Sequence, residues 1–252
     1  MSKVVMVAAM EREVAPLVRG WSRSTARDAS RSFVAFESEE QVVVISGIGR
    51  KNAERAARAA VVQYGPGALI SIGLAGALIR SLKVGSVVTP SVVVDAADGN
   101  EYRCAAAGDT MGGGILVTAD GIASSDAKQQ LVDRFHALVV DMEAAAVARV
   151  AQEAQAGFRC VKAISDEADF VMPPLAQFVD QDGNFHSGKF ATWTALRPWH
   201  WARVAALGRN SNRATRALCA WLEKNLAASA APAEVVTLKR AEFSEIRTKQ
   251  AH

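Results

Sequence analysis

Short apolar runs alternate with amphipathic stretches over about the first 170 residues, and this alternation restricts the possible folds more than any other feature. Residues 4–9 and 41–49 are apolar runs typical of strands, whereas 50–64 is rich in alanine and arginine and predicts a helix. Strands and helices that take turns along a chain build a largely parallel sheet covered by helices. The sequence therefore predicts an α/β protein with three layers, α/β/α, around a central mixed, largely parallel sheet.

The same patterns predict the remaining elements. Further strands are expected at 68–78, 84–96, 115–120, 137–142 and 158–166, and further helices at 10–21, 125–135 and 143–154. The strand at 68–78 is expected to stop at Gly73 and Gly76. After a loop at 170–185, two helices broken at Pro198 and Gly208 are expected.

Composition indicates one globular domain with an extension. The chain has 252 residues, which is long enough to bury a sizeable core. Hydrophobic residues make up 50% and charged residues 22%, as is typical of a globular protein. We assign 1–226 to a catalytic domain, with 190–226 as divergent C-terminal helices. Residues 227–252 are small and charged without periodicity, so we expect a mobile tail or arm.

Charge and cysteine usage exclude several functions. A net charge of +3 without a long basic run does not favour nucleic-acid binding. No apolar run is long enough to span a membrane or to form a signal-peptide core. The three cysteines have neither a CxxC motif nor zinc-like spacing, so we expect a cytoplasmic protein that binds no metal.

Two strand ends carry carboxylates that could take part in chemistry. Asp141, Met142 and Glu143 follow one predicted strand, while Ser165 and Asp166 end the next. Each carboxylate alone is about as readily explained by helix capping or by stabilisation of a helix dipole. Ligands bind outside the carboxyl ends of parallel strands, and these two ends should lie close together. Two carboxylates would then share one cleft.

Such a cleft suits cleavage of a glycosidic bond. One group can protonate the leaving group while another supports the cationic sugar. A departing purine needs a proton near N7, and burial raises the pKa of a carboxylic acid enough to supply one near neutral pH. We therefore interpret the pair as the purine and ribose ends of a nucleoside site.

Five motifs occur together in one order over residues 4–170: AAMEREV, SGIGRKNA, SIGLAGAL, VVDMEAAAVARVA and VKAISDEAD. This set resembles the nucleoside phosphorylase superfamily, and most closely its methylthioadenosine/S-adenosylhomocysteine nucleosidase branch. The resemblance implies that the chain cleaves the N-glycosidic bond of a purine nucleoside. Hydrolysis of a 5'-substituted adenosine, with release of adenine and no metal or organic cofactor, is the implied reaction.

The resemblance also implies roles for individual residues. Asp166 matches the general acid at the purine, and Glu13 matches the acid that activates the attacking water, although a plain helix-surface charge is the alternative for Glu13. The residues matching the substrate-binding positions are Met142 and Glu143 at the ribose, Ser165 beside the acid, Ala75 and Gly76 along the nucleoside, and Ile122 over the base. At least a homodimer is implied as well.

Departures from the branch leave the substrate and the nucleophile open. Leu74 replaces a frequent serine, and Ile122 with Ala123 replaces a bulkier pair. The C-terminal helices resemble the hopanoid-associated phosphorylase branch, whose members act on an adenosylated lipid. The arginines and tryptophans of 193–221 could form a peripheral membrane surface, or simply a packed helix pair with a solvated arginine face.

A phosphorylase, possibly of an adenosylated hopanoid lipid, is therefore the alternative, with phosphate as its co-substrate. The turn at Gly49 and the side chain of Arg50 are candidate phosphate contacts. Glu13 favours water, because a carboxylate at the nucleophile position repels phosphate. A non-catalytic nucleoside sensor is a third interpretation, and Asp166, Glu143 and Glu13 together argue against it.

Overall fold

The computed structural model describes residues 3–29, 31–105, 113–180 and 183–226. The strands are β1 Val4–Ala8, β2 Ser22–Arg27, β3 Ser32–Glu37, β4 Gln41–Ile45, β5 Ala68–Ala77, β6 Val87–Val88, β7 Val92–Asp95, β8 Glu101–Arg103, β9 Ile115–Thr118, β10 Val139–Asp141 and β11 Gly157–Asp166. The helices are α1 Arg50–Tyr64, α2 Ser125–Phe135, α3 Ala144–Glu153, α4 Ser187–Ala195 and α5 Trp201–Leu226. Short 3₁₀ helices cover Glu11–Glu13, Leu175–Phe178 and Pro198–His200. The predicted division of the chain at residue 226 stays a prediction, since 227–252 lie outside these ranges.

All the described strands belong to one mixed sheet, as the sequence predicts. Its order is β2-β3-β4-β1-β5-β10-β9-β7-β8, and β11 pairs with β5 and β6. Parallel pairings join β4, β1, β5 and β11 in the centre, and also β10, β9 and β7. Antiparallel pairings add β2, β3, β6 and β8 and connect β10 to β5. The carboxyl ends of β1, β5 and β11 therefore lie at one edge of the sheet. The antiparallel pairing of Val139 with Ala77 and of Val140 with Gly76 places β10 beside the end of β5 at that edge.

Alternation along the central strands produces the three layers. In β1, Val5 and Val7 face a core that contains the alanine-rich sides of α1 and α3. Met6 and Ala8 point to the opposite face, which is covered by α5. Because both faces of the central strands are covered, these strands are apolar along their whole length. The predicted α/β/α architecture is thus confirmed.

The predicted helix at 10–21 is wrong. Only Glu11–Glu13 forms a 3₁₀ helix, and turns follow. Pro16 lacks the N–H that an α-helix would use, and Gly20 adopts φ 85°. The apolar residues whose spacing predicts a helix are nevertheless part of the core, since Val14, Leu17 and Val18 are buried.

Two predicted interruptions are also wrong. The strand β5 continues through Gly73 and Gly76 to Ala77. Helix α5 continues through Gly208, because one glycine costs a helix only about 1 kcal/mol and α5 buries a long apolar side. The break at Pro198 is real and takes the form of a 3₁₀ helix.

Candidate active site

Asp166 ends β11 and lies at one end of a cavity. A register irregularity between Ile164 and Asp166 changes the course of β11 just before the carboxylate. Asp166 is 3% exposed. The hydroxyl of Ser165 lies 3.0 Å from Asp166 Oδ1 and 3.3 Å from the carbonyl oxygen of Ala75, so it can donate to either. Ser165 thereby fixes the carboxylate relative to β5.

Gly76 is needed for this arrangement. A Cβ atom at position 76 would lie 2.8 Å from Asp166 Oδ2, well inside van der Waals contact. The carboxylate therefore rests directly on the backbone of β5. Gly76 is therefore not the strand end that the sequence predicts but a position where a carboxylate approaches the strand closely.

Lys128 of α2 is a site residue that the sequence did not reveal. Its ammonium lies 2.7 Å from Asp166 Oδ2 and donates to the carbonyl oxygen of Glu167 at 3.1 Å. Lys128 is only 5% exposed. No local pattern separates it from the other polar side chains of α2, most of which face solvent. Only the docking of α2 beside the end of β11 reveals it.

Glu143 occupies the position just before α3. Its Oε1 accepts the backbone N–H of Gly49 at 2.8 Å, and its Oε2 accepts that of Met142 at 3.3 Å. Burial and then the charge of Asp141 raise the pKa of Glu143. Held by backbone donors, the carboxylate has a fixed direction, which a residue that binds sugar hydroxyls requires.

A buried ion pair between Lys162 and Asp141 lies near Glu143. Lys162 of β11 lies 2.9 Å from Asp141 Oδ2, and the hydroxyl of Thr118 donates to Asp141 Oδ1 at 2.7 Å. Burial lowers the pKa of Lys162, but the charges of Asp141, Cys160 and Glu143 together outweigh that effect, so its pKa lies above the usual value. Lys162 is therefore a buried cation among three carboxylates: Asp141, Glu143 and Glu13.

Glu13 lies in the 3₁₀ helix after β1 and is 3% exposed. Its carboxyl group approaches the backbone of β5 at Gly73, where a Cβ atom would lie 2.9 Å from Glu13 Oε2. Burial, followed by the charge of Glu143, raises the pKa of Glu13 to about 8. Within the described residues, Glu13 Oε2 is buried without a hydrogen-bond partner. It is thus an acceptor left for a ligand or a water molecule.

The candidate phosphate contacts are engaged elsewhere. The N–H of Gly49 is donated to Glu143, as described above. Arg50 pairs with Asp95, and its second terminal nitrogen lies 3.0 Å from Asp120 Oδ1. Neither group lies among the residues that line the cavity.

One cavity of about 700 Å³ brings the other predicted residues together. Its lining includes all eight of them: Asp166, Glu13, Met142, Glu143, Ser165, Ala75, Gly76 and Ile122. Leu74 and Lys128 line it too. Much of the remaining wall is apolar and comes from the loop after β11, from α4 and from α5: Met172, Leu175, Val179, Phe185, Phe190, Val204 and Leu207. Polar side chains also contribute: Arg12, Ser187, Ser211, Asn212 and Thr215.

Comparison with known proteins shows the family of this chain. The sequence model of the phosphorylase superfamily matches residues 3–109 and 101–187, which is most of the chain. The chain belongs to the phosphorylase superfamily. The match ends before α5, so the predicted likeness of the C-terminal helices to the hopanoid-associated branch stays a prediction.

Several members of the superfamily share sequence or fold with this chain. A 5'-methylthioadenosine/S-adenosylhomocysteine nucleosidase of Shewanella piezotolerans is 29% identical over 66% of this chain and 87% of its own length. The enzyme of the same name from Shewanella baltica is 34% identical, but over 36% of this chain and 40% of its own. The apo structure of 5'-methylthioadenosine nucleosidase of Arabidopsis thaliana aligns with a TM-score of 0.68 at 21% identity, covering 89% of this chain and 94% of that one. At that identity the last comparison shows the fold alone.

Proposed function

We propose that this phosphorylase-superfamily member hydrolyses the N-glycosidic bond of a 5'-substituted adenosine and releases adenine. The observation that carries the proposal is the placement of Asp166 and the Glu13–Glu143 pair in one cavity. The nucleosidases it resembles in sequence are named for substrates of this class. Neither a metal nor an organic cofactor enters the proposed reaction, and this expectation stays a prediction.

The purine would bind at Asp166. As the C1'–N9 bond breaks, its electron pair moves onto the purine, and a proton delivered to N7 neutralises the growing charge. Asp166 is positioned by Ser165 and by the close contact with Gly76, so the proton can be transferred in a fixed direction. Ile122, which is 37% exposed at the rim, would cover the base.

The ribose would bind at Glu143. An ionised carboxylate accepts hydrogen bonds from the sugar hydroxyls and stabilises positive charge on the ring in the transition state. Glu143 is oriented for this by the N–H groups of Gly49 and Met142. Lys162 favours the ionised form of Glu143 despite its burial.

Water is the nucleophile that the site favours over phosphate. Glu13 Oε2 is buried and unpartnered among the described residues, and an ionised Glu13 can take a proton from a water molecule. A second carboxylate, Glu143, lies close enough to raise the pKa of Glu13. Two carboxylates repel a phosphate dianion, and Arg50 is paired with Asp95 and Asp120 instead of facing the cavity.

The apolar wall formed by α4, α5 and the loop after β11 would hold the 5' substituent. Phe185, Phe190 and Leu207 are among its residues, so an apolar part of the substituent would leave water there. Arg12, Ser211 and Asn212 line the cavity as well and offer partners to polar groups of a longer substituent. We therefore expect a 5' group with an apolar part that packs against the aromatic side chains.

Product analysis tests the proposal. The protein is incubated with 5'-methylthioadenosine, S-adenosylhomocysteine, adenosine and inosine, with and without phosphate, and free base and sugar product are measured. We expect adenine and a free 5-substituted ribose at a rate that phosphate does not change. Formation of a ribose 1-phosphate would show that phosphorolysis is the reaction.

The role of Asp166 has its own test. We expect Asp166→Asn to lose roughly 100-fold or more in kcat while still binding nucleoside, because the amide cannot release a proton. Turnover near that of the unaltered enzyme would refute the assignment.

Further predictions concern the location of the protein, its oligomeric state and its contact with membranes. No described helix combines the length and apolar character needed to cross a bilayer. A cytoplasmic location, a homodimer or larger homo-oligomer, and peripheral membrane contact through 193–221 stay predictions. In that segment α5 buries Ala214, Leu218 and Cys219, while Trp199 and Trp201 are exposed.

A further inference from the structure

We infer that the proton delivered to the departing purine originates on Lys128 and reaches the base through Asp166. The inference rests on the proposed function and adds a residue to it. Lys128 acts through another group, so it is a positioning residue that also supplies the proton. Lys128 contacts neither the proposed ribose position at Glu143 nor the proposed water position at Glu13.

The first observation is the ion pair itself. Lys128 Nζ and Asp166 Oδ2 lie 2.7 Å apart, and the two side chains are 6% and 4% exposed. Either charge alone would be strongly destabilising at such burial, so the two groups stabilise each other as ions. The resting pair thus holds its transferable proton on the ammonium, whereas cleavage requires a proton on the purine.

The second observation is the set of partners around the ammonium. One N–H faces Asp166, and another is donated to the carbonyl oxygen of Glu167 at 3.1 Å. The side chain of Glu167 lies 3.2 Å from Lys83 and is therefore already paired. Within the described part of the chain, the third N–H of Lys128 has no partner, and Lys128 lines the cavity. The ammonium is accordingly directed at the same end of the cavity as the general acid.

The transfer balances in protons and electrons. An N–H bond of Lys128 breaks and its proton moves to the Asp166 carboxylate. The carboxyl group then passes a proton to purine N7 while the C1'–N9 electron pair moves onto the base. Water adds to C1' and loses a proton to Glu13, and this proton returns through solvent to the neutral amine of Lys128. The sum is one nucleoside and one water converted to free base and free sugar.

Charge alone predicts the opposite outcome for a variant without the lysine. If Asp166 took its proton from water, Lys128 would oppose that step by favouring the carboxylate. Replacing Lys128 with an apolar residue would then leave kcat unchanged or raise it. The two mechanisms are therefore separable by the sign of the effect.

The experiment compares Lys128→Met, Lys128→Arg and Lys128→Ala with the unaltered enzyme, using 5'-methylthioadenosine in steady-state and single-turnover assays. Lys83→Met is the matched control, because Lys83 is an exposed lysine paired with the neighbouring Glu167. We expect Lys128→Met to lose roughly 100-fold in kcat with KM changed less than about threefold, a size typical of general acid catalysis. Lys128→Arg should stay slow, since arginine keeps the charge but does not release a proton. Lys83→Met should match the unaltered enzyme.

Chemical rescue separates proton supply from charge and from misfolding. Ethylammonium should raise the rate of Lys128→Ala at least tenfold, whereas tetramethylammonium, which has no N–H, should not. Wild-type kcat in Lys128→Met or Lys128→Arg, equal rescue by both cations, or no rescue of a variant that still binds adenine would overturn the inference. A wild-type protein that releases no base overturns the proposed function as well, while an active wild type with an active Lys128→Met overturns only the inference.

Discussion

At the scale of single residues, the site is defined by carboxylates that differ in their surroundings. Asp166 is paired with a lysine, Glu143 is held by backbone N–H groups, and Glu13 keeps one oxygen without a partner among the described residues. The same chemical group can therefore serve as acid, sugar ligand and base in one cavity. Environment, rather than residue type, separates the roles.

Glu13 gives a prediction about pH. A base must be ionised, and the pKa of Glu13 is about 8, so kcat/KM should rise with pH between about 6 and 8. In Glu13→Gln this rise should disappear together with most of the activity. A pH series of initial rates checks the prediction, and a rise of unchanged size in Glu13→Gln would assign it to another group.

The free energy of unfolding should fall as pH rises, whereas kcat/KM should increase. The pKa of Glu13 is raised in the folded state, so the folded protein binds more protons than the unfolded chain between pH 4.5 and about 8. The contribution of Glu13 to stability is full below pH 4.5 and is lost as pH rises through 8. Glu13→Gln should then be more stable than the unaltered protein at pH 8, by roughly 4 kcal/mol, and this gain should largely vanish at pH 4.5. Thermal melting at both pH values measures it.

At the scale of elements, glycines with different surroundings have different functions. Gly76 lies in β5 against the Asp166 carboxylate, whereas Gly208 lies within α5, where a Cβ atom would have no neighbour within 4 Å outside the helix backbone. Both glycines predict an interruption from the sequence, because a glycine in a periodic stretch has the same appearance in either case. Only the neighbouring element distinguishes them.

A pair of alanine substitutions tests this difference. Gly208→Ala should stabilise the protein by about 0.5–1 kcal/mol, because alanine is the better helix former and meets no atom. Gly76→Ala should lower kcat and stability together, since the new methyl group displaces the carboxylate. Denaturant unfolding and initial rates distinguish the two variants. Equal stability changes of the same sign would contradict this interpretation of β5.

At the scale of the whole molecule, α5 links the core to the substrate site. Its second half buries Leu218, Cys219 and Leu222 against the sheet, and its first half contributes Val204 and Leu207 to the cavity wall. The face of the sheet that carries Met6 and Ile70 is therefore covered by a segment beyond the family match. A segment beyond the family match thus both completes the fold and shapes the apolar end of the site.

Truncation of one α5 side chain tests its part in the core. Leu218→Ala should destabilise the protein by about 2–4 kcal/mol, because Leu218 is fully buried and the sheet beneath it cannot collapse into the space. The exposed Arg216→Ala, two residues away, should change stability by less than about 0.5 kcal/mol. Urea unfolding of both variants gives the comparison. A small effect at Leu218 would mean that α5 is not part of the cooperative unit.

The sequence by itself determined the α/β class, most strands and helices, and the residues placed at strand ends. Periodicity and strand-end position are local properties, so Asp166, Glu143 and Ser165 could be found without coordinates. The tertiary structure alone revealed Lys128, the partners of Gly49 and Arg50, and the reason for Gly73 and Gly76. Each of these depends on which elements lie side by side, and Lys128 reaches Asp166 across 38 positions of chain. Contacts of that range are set by the packing of the whole sheet and its helices, which no short stretch of sequence records.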